Sequence, residues 1–134
     1  MTDNLQKVSK LLHERNLSLV SAESCTGGWL AKQITDLPGS SAIFDRGFVT
    51  YSNDAKHEML GVLETTLESF GAVSEEIVKE MAAGALAHSK ADIAVATSGV
   101  AGPDGGTEEK PVGMVCFAWM LRDKNAKAAT NFLD

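Results

Sequence analysis

Short apolar runs of strand character alternate along the chain with segments of helical spacing, and this alternation restricts the fold more than any other feature. Leu5, Val8, Leu11 and Leu12 recur at helical intervals and predict an amphipathic helix over 4–15. A strand follows over Leu17–Ser21, then a turn at Ser24–Gly28 and a short helix. Leu37-Pro38-Gly39-Ser40-Ser41 reads as a turn, and Ile43–Tyr51 as a second strand. Ser52 is placed to cap a helix through Leu60 closed by Gly61, and Glu64–Phe70 predicts another closed by Gly71. Ser74, followed by Glu75 and Glu76, starts a long helix through about Ser89, with Ile77, Val78, Met81, Ala82 and Ala85 inward. Asp92–Thr97 has the continuous apolar pattern of a strand covered on both faces, Val112–Leu121 is a long strand, and Ala128–Leu133 begins a hairpin partner. Helices interleaved with strands and ending in a hairpin predict a layered α/β/α single domain, residues 1–134, around a central mixed β-sheet.

The chain has 134 residues, enough to bury roughly two-thirds of the surface of the unfolded chain in one core. With 44% hydrophobic and 22% charged residues it has a globular composition, not a disordered one. The net charge is −6 and the basic residues are scattered, which argues against nucleic acid as a partner. No apolar run approaches the roughly 20 residues of a membrane span. The start Met1-Thr2-Asp3-Asn4 lacks a basic segment followed by an apolar one, so the expected location is cytoplasmic with no membrane partner. Cys25 and Cys116 form no spaced pair, and neither a disulfide framework nor a metal site is expected.

The chemistry concentrates in Ala22-Glu23-Ser24-Cys25-Thr26-Gly27-Gly28. A strand-to-helix turn of this kind exposes backbone N–H groups able to hold a phosphate or an oxyanion, and its glycines let a ligand approach the backbone. Ser24 reads either as a nucleophile or as a helix cap. Serine needs a base. His13, His57 and His88 show no partnering carboxylate pattern, whereas Lys56 can serve if burial and helix dipoles favour its neutral form. Tyr51, just upstream, reads either as a proton relay or oxyanion donor or as strand packing. Cys25 is a rival nucleophile, since a thiol at a helix start is easily ionised, or else a small buried hydrophobe. Cys116, between Val115 and Phe117, is core. A second loop runs from Ser98-Gly99-Val100-Ala101-Gly102-Pro103 through Asp104-Gly105-Gly106-Thr107 to Pro111. It has more backbone freedom than a hairpin needs and reads either as ligand-contacting or as a flexible crossing. It lacks the Gly-Lys-Ser/Thr ending of a P-loop and the spacing of a dinucleotide fingerprint. Glu23 and Asp104 read as a carboxylate pair or metal ligands, or else as solvated or capping residues, and no metal is assigned to them.

These blocks, with Gly47-Phe48-Val49-Thr50-Tyr51-Ser52-Asn53-Asp54-Ala55-Lys56, Gly71-Ala72-Val73-Ser74 and Lys110-Pro111-Val112-Gly113, resemble the C-terminal domain family of competence/damage-inducible protein CinA. The resemblance spans most of the chain and implies deamidation of nicotinamide mononucleotide to nicotinate mononucleotide and ammonia, without a cofactor. By it, Ser24 matches the nucleophile, Lys56 the base and Tyr51 an assisting residue. Cys25, Thr26, Gly27 and Gly28, together with Ser98, Gly99, Ala101, Gly102, Gly105, Gly106 and Thr107, would shape the nucleotide site. A non-catalytic nucleotide-binding or regulatory module with the same pocket is the alternative. The family pattern continues past the last strand into a Gly-Asp-Arg block and a helix, whereas this sequence ends at Asn131-Phe132-Leu133-Asp134. Lys110, Arg46 or a neighbouring subunit would then replace the arginine expected on the phosphate. Apolar sheet surface left open by the missing helix would favour a homo-oligomer or low stability.

Overall fold

The computed structural model describes residues 2–133; Met1 and Asp134, the two ends of the expected 1–134 domain, lie outside the described residues. The chain runs α1 (Thr2–Arg15), β1 (Leu19–Glu23), α2 (Trp29–Thr35), a 3-10 turn (Ser40–Ala42) and β2 (Phe44–Val49). Then come α3 (Asn53–Leu60), α4 (Glu64–Phe70), α5 (Glu75–Ala87), β3 (Ile93–Gly99), β4 (Met114–Leu121) and β5 (Lys127–Phe132). The sheet order is β2-β1-β3-β4-β5. β1 pairs in parallel with β2 on one side and β3 on the other. β4 and β5 extend the sheet antiparallel, so it is mixed, as the terminal hairpin predicts.

Side chains alternate across each strand, and β1 shows what that does. Val20 and Ala22 face α5 and join a core of Ile77, Val78, Met81, Ala82, Ala85, Ala94, Ala96, Cys116 and Ala118. Leu19 faces the other way, into a smaller core with Leu12, Ile34 and Ile43 under α1 and α2. Helices therefore cover both faces of the sheet, giving the α/β/α layers. By the same alternation Ser24 continues the α5 side of β1 and Glu23 the α2 side. The alanines of β3 and α5 allow close packing, and α3 lies on α5.

Several boundaries differ from expectation. β1 begins and ends two residues later than the predicted Leu17–Ser21, because neighbours on both sides carry its pairing through Glu23, and Ser24 N–H still donates to Thr97 O at 3.1 Å. β2 stops at Val49, so Tyr51 lies beyond the strand, in the link to α3; Ile43 belongs to the core but not to β2. The predicted start at Val112 falls in the turn before β4, where Gly113 N–H donates to Val100 O at 2.8 Å. The long helix ends at Ala87, with His88 as its cap, and β3 runs two residues further than expected, to Gly99. The caps foreseen at Ser52 and Ser74 are present: their hydroxyls accept from Ala55 N–H at 3.0 Å and Ile77 N–H at 3.2 Å. Gly61 closes α3 in the left-handed conformation.

Candidate active site

β1 ends at the nucleophile loop, and α3 brings Lys56 to meet it. Ser52 caps α3, so Lys56 sits in the first turns, on the face packed toward the sheet. Lys56 is 1% exposed. Its Nζ donates to Ser24 Oγ at 3.0 Å and to Tyr51 O at 3.1 Å. Ser24 Oγ lies 3.5 Å from the same carbonyl. No carboxylate shares this cluster among the described residues, and no histidine lines it. Burial of an amine with no carboxylate partner pushes the Lys56 pKa below its ordinary value, with the charge of an ionised Cys25 acting in the opposite direction. Burial also pushes the Cys25 thiol up, helped by the Glu23 charge, while its own N–H, the Lys56 charge and the N–H of Thr26 oppose the shift.

The pair opens into a cavity of about 350 Å³, within the range of roughly 300–1,000 Å³ for small-molecule sites. Of the residues predicted to form the site, Ser24, Cys25, Tyr51, Lys56, Ser98, Gly99, Ala101 and Gly102 line this cavity. Gly99 is pressed between neighbours: a Cβ there would lie 2.8 Å from Met114 O and 3.1 Å from Cys25 Sγ. Ser98 is buried, and its hydroxyl donates to Ala72 O at 2.8 Å, fastening the segment before α5 to β3.

The remaining predicted residues do not line the cavity. Thr26 turns its hydroxyl to Glu23 Oε1 at 2.6 Å, and Gly27 and Gly28 adopt positive φ of 60° and 99° to turn the chain into α2. Gly105, Gly106 and Thr107 lie further along the second loop, where Thr107 closes a turn with Lys110 through bonds of 2.8 and 3.0 Å. Tyr51 presents its carbonyl to Lys56, while its side chain lies at the mouth, the residue being 72% exposed. Glu23 is neither solvated nor paired with Asp104: it is buried and accepts from Leu30 and Ala31 N–H at 2.8 and 3.0 Å. Neither Lys110 nor Arg46 faces the cavity. Lys110 donates to Phe70 O, and Arg46 to Asp45 Oδ2 at 2.9 Å and His88 O at 3.0 Å.

Asn53, Ala72, Val73, Val100 and Asp104 complete the lining. Asn53 was readable in principle, since it precedes Lys56 by three residues and so shares its helix face. Ala72 and Val73 carry no chemical signal; only the fold brings them there.

In chemical terms this is an α/β/α protein with a buried serine–lysine pair at the carboxyl end of a central strand, opening into a small-molecule cavity. The chain belongs to the CinA C-terminal domain family, whose model matches residues 2–134. Among its relatives is nicotinamide-nucleotide amidohydrolase PncC of Escherichia coli strain K12, 61% identical over 114 residues, which cover 85% of this chain and 69% of that protein. A CinA-like protein of Chloroherpeton thalassium is 60% identical over 112 residues, 84% of this chain and 27% of its own length. The crystal structure of competence/damage inducible protein CihA from Agrobacterium tumefaciens superposes with a TM-score of 0.95 at 46% identity, covering 99% of this chain and 81% of that one.

Proposed function

We propose that the chain is a nicotinamide-nucleotide amidase that hydrolyses the carboxamide of nicotinamide mononucleotide, releasing ammonia and nicotinate mononucleotide. The observation that carries the reading is the Lys56–Ser24 contact of 3.0 Å at the buried end of the cavity, in a chain 61% identical to a nicotinamide-nucleotide amidohydrolase. Lys56, its charge disfavoured by burial, takes the proton of Ser24 as Oγ attacks the carboxamide carbon. Tyr51 O holds the amine in line. The N–H groups of Cys25 and Thr26 have no oxygen acceptor among the described residues and are available for the developing oxyanion. The lysine returns its proton to the leaving nitrogen, ammonia departs, and water activated by the same amine cleaves the acyl-serine. The phenol of Tyr51, at the mouth, assists by donating to the bound substrate.

A second reading has one observation in its favour. Lys56 is the only basic residue among the described residues lining the cavity and is held on Ser24, so no basic residue of the lining is left for the substrate phosphate. A nucleotide-binding module with the same pocket would bind nicotinamide mononucleotide without turnover. Ammonia release from nicotinamide mononucleotide, compared between the unaltered chain and Ser24→Ala, separates the two. A cytoplasmic location belongs to the same proposal. No described helix is long and apolar enough to cross a membrane. Trp119 and Leu121, 41% and 50% exposed on one face of β4, support a homo-oligomer, testable by sedimentation.

A further inference from the structure

Ser24 and Cys25 are adjacent, both line the cavity, and both are chemically capable of attack. We propose that Glu23 is a positioning residue whose buried carboxylate clamps the nucleophile loop so that Ser24, not Cys25, is presented to Lys56. This rests on the amidase reading for its kinetic arm only.

Glu23 is fully buried on the α2 side of the sheet, directly before Ser24. Its Oε1 accepts from Leu30 N–H at 2.8 Å and from the Thr26 hydroxyl at 2.6 Å, and its Oε2 from Ala31 N–H at 3.0 Å. Because the Thr26 hydrogen is committed to Glu23, the 3.1 Å contact between Thr26 and Thr97 hydroxyls is a bond donated by Thr97. One carboxylate thus ties together β1, the middle of the loop, the start of α2 and, through Thr97, β3. Charge-assisted bonds of this kind are about twice as strong as neutral ones. With Glu23 pinned on one face, alternation sends Ser24 to the other, where Lys56 waits, and leaves Cys25 against Gly99.

The charge of Glu23 acts in the same direction. It discourages a thiolate at Cys25. A thiolate beside Lys56 would hold the amine in its charged form and remove the base. The charged or titratable groups that bear on Cys25 are therefore Glu23 from β1, which keeps it protonated, and Lys56 from α3, which opposes that. Nothing else in the mechanism uses Glu23.

Glu23→Gln preserves the shape but replaces one acceptor oxygen with an NH2 group facing a backbone N–H. Two quantities decide the matter: ammonia release from nicotinamide mononucleotide, and the rate at which iodoacetamide alkylates Cys25, located by peptide mass. Cys116 is fully buried and serves as the silent control. The expected result for Glu23→Gln is a loss of about a hundredfold in kcat with KM little changed, as for a reacting group displaced by about 1 Å. Cys25 alkylation should accelerate together with it, by about three- to fourfold for each unit its pKa falls, since the thiolate fraction rises about tenfold while its nucleophilicity drops. Thr26→Val, which removes the 2.6 Å bond to Glu23 and the 3.1 Å bond from Thr97 but keeps both bonds from Glu23 to α2, should shift both in the same direction by less, and it carries the test if Glu23→Gln does not fold. Unchanged alkylation in the variants overturns the proposal, even if kcat falls, because a purely structural defect would not expose the choice of nucleophile. If the unaltered chain releases no ammonia, the amidase reading fails, and the alkylation rates alone still decide the role of Glu23.

Discussion

Replacing Lys56 with methionine should make the protein more stable and catalytically dead, with the first effect dependent on pH. Lys56 is 1% exposed and has two neutral partners, Ser24 Oγ at 3.0 Å and Tyr51 O at 3.1 Å. Losing those bonds costs roughly 1–3 kcal/mol at about 0.5–1.5 kcal/mol each. Part returns, because Ser24 Oγ, already 3.5 Å from Tyr51 O, can close onto it. Against this stands the desolvation of an ammonium with no carboxylate, about several kcal/mol, so the balance is a stabilisation of about 1–3 kcal/mol near neutral pH. For a domain of this length that corresponds to a rise of about 3–10 °C in Tm. Burial lowers the Lys56 pKa below 10.5, so between the folded value and 10.5 the unfolded chain binds the extra proton. Wild-type stability then rises with pH across that window, while the methionine variant does not share the rise. The gap between the two melting curves should shrink and, by these figures, change sign as pH approaches 10.5, because the bonds of the neutral amine outlast its desolvation cost, and it should widen and then level off as pH falls below the folded value. Calorimetric melting of both proteins across this range tests it. A less stable variant at neutral pH, or a gap that does not change with pH, refutes the reading of Lys56 as a desolvated, unpaired amine. Ammonia release by the variant should fall by about 10⁴–10⁶, a loss of about 5–8 kcal/mol in transition-state stabilisation.

Lys56→Arg should be as inactive as Lys56→Met, since a guanidinium cannot act as a neutral base; recovered ammonia release would point to a different base. In the unaltered protein kcat/KM should rise with pH as Lys56 loses its proton, with a midpoint below 10.5, and a pH-rate profile measures this directly. Gly84→Ala would place a Cβ 1.9 Å from Leu60 O, at the end of the helix that carries Lys56. Denaturant unfolding should show a loss of about 3 kcal/mol or more, and the displaced α3 should also lower kcat. Arg122 donates to Ala91 O at 2.9 Å and to Leu86 O at 3.0 Å, tying the end of α5 to the start of β3. Arg122→Leu should cost about 1–2 kcal/mol by the same measurement while leaving the Ser24–Lys56 pair in place.

Local signals in the sequence were enough for much of the scaffold. Ser52, Gly61 and Ser74 act on residues three or four positions away, so the boundaries of α3 and the start of α5 were legible. Ser24 and Lys56 could be nominated because a serine in a glycine turn needs a base and no histidine shows a partnering carboxylate pattern. What was not legible depends on elements that meet only in space. The length of β1 is set by pairing on both sides, which periodicity along one strand cannot reveal. Glu23 reads locally as one of a carboxylate pair or metal ligands, or as a solvated or capping residue; it caps α2, with partners seven and eight residues on, and only the turn at Gly27 and Gly28 folds α2 back over it. Tyr51 was nominated for its phenol, whereas its contact with the lysine is made by the carbonyl, a group that every residue carries.

In the proposed reaction Ser24, activated by Lys56, attacks a nucleotide carboxamide. Ammonia release from nicotinamide mononucleotide by this 134-residue chain and its Ser24→Ala variant tests that most directly. The predicted result is turnover by the first and a loss of about 10⁴–10⁶ in rate for the second. Ammonia release by Ser24→Ala near the level of the unaltered chain would contradict the claim, as would binding of the nucleotide by the unaltered chain with no release at all.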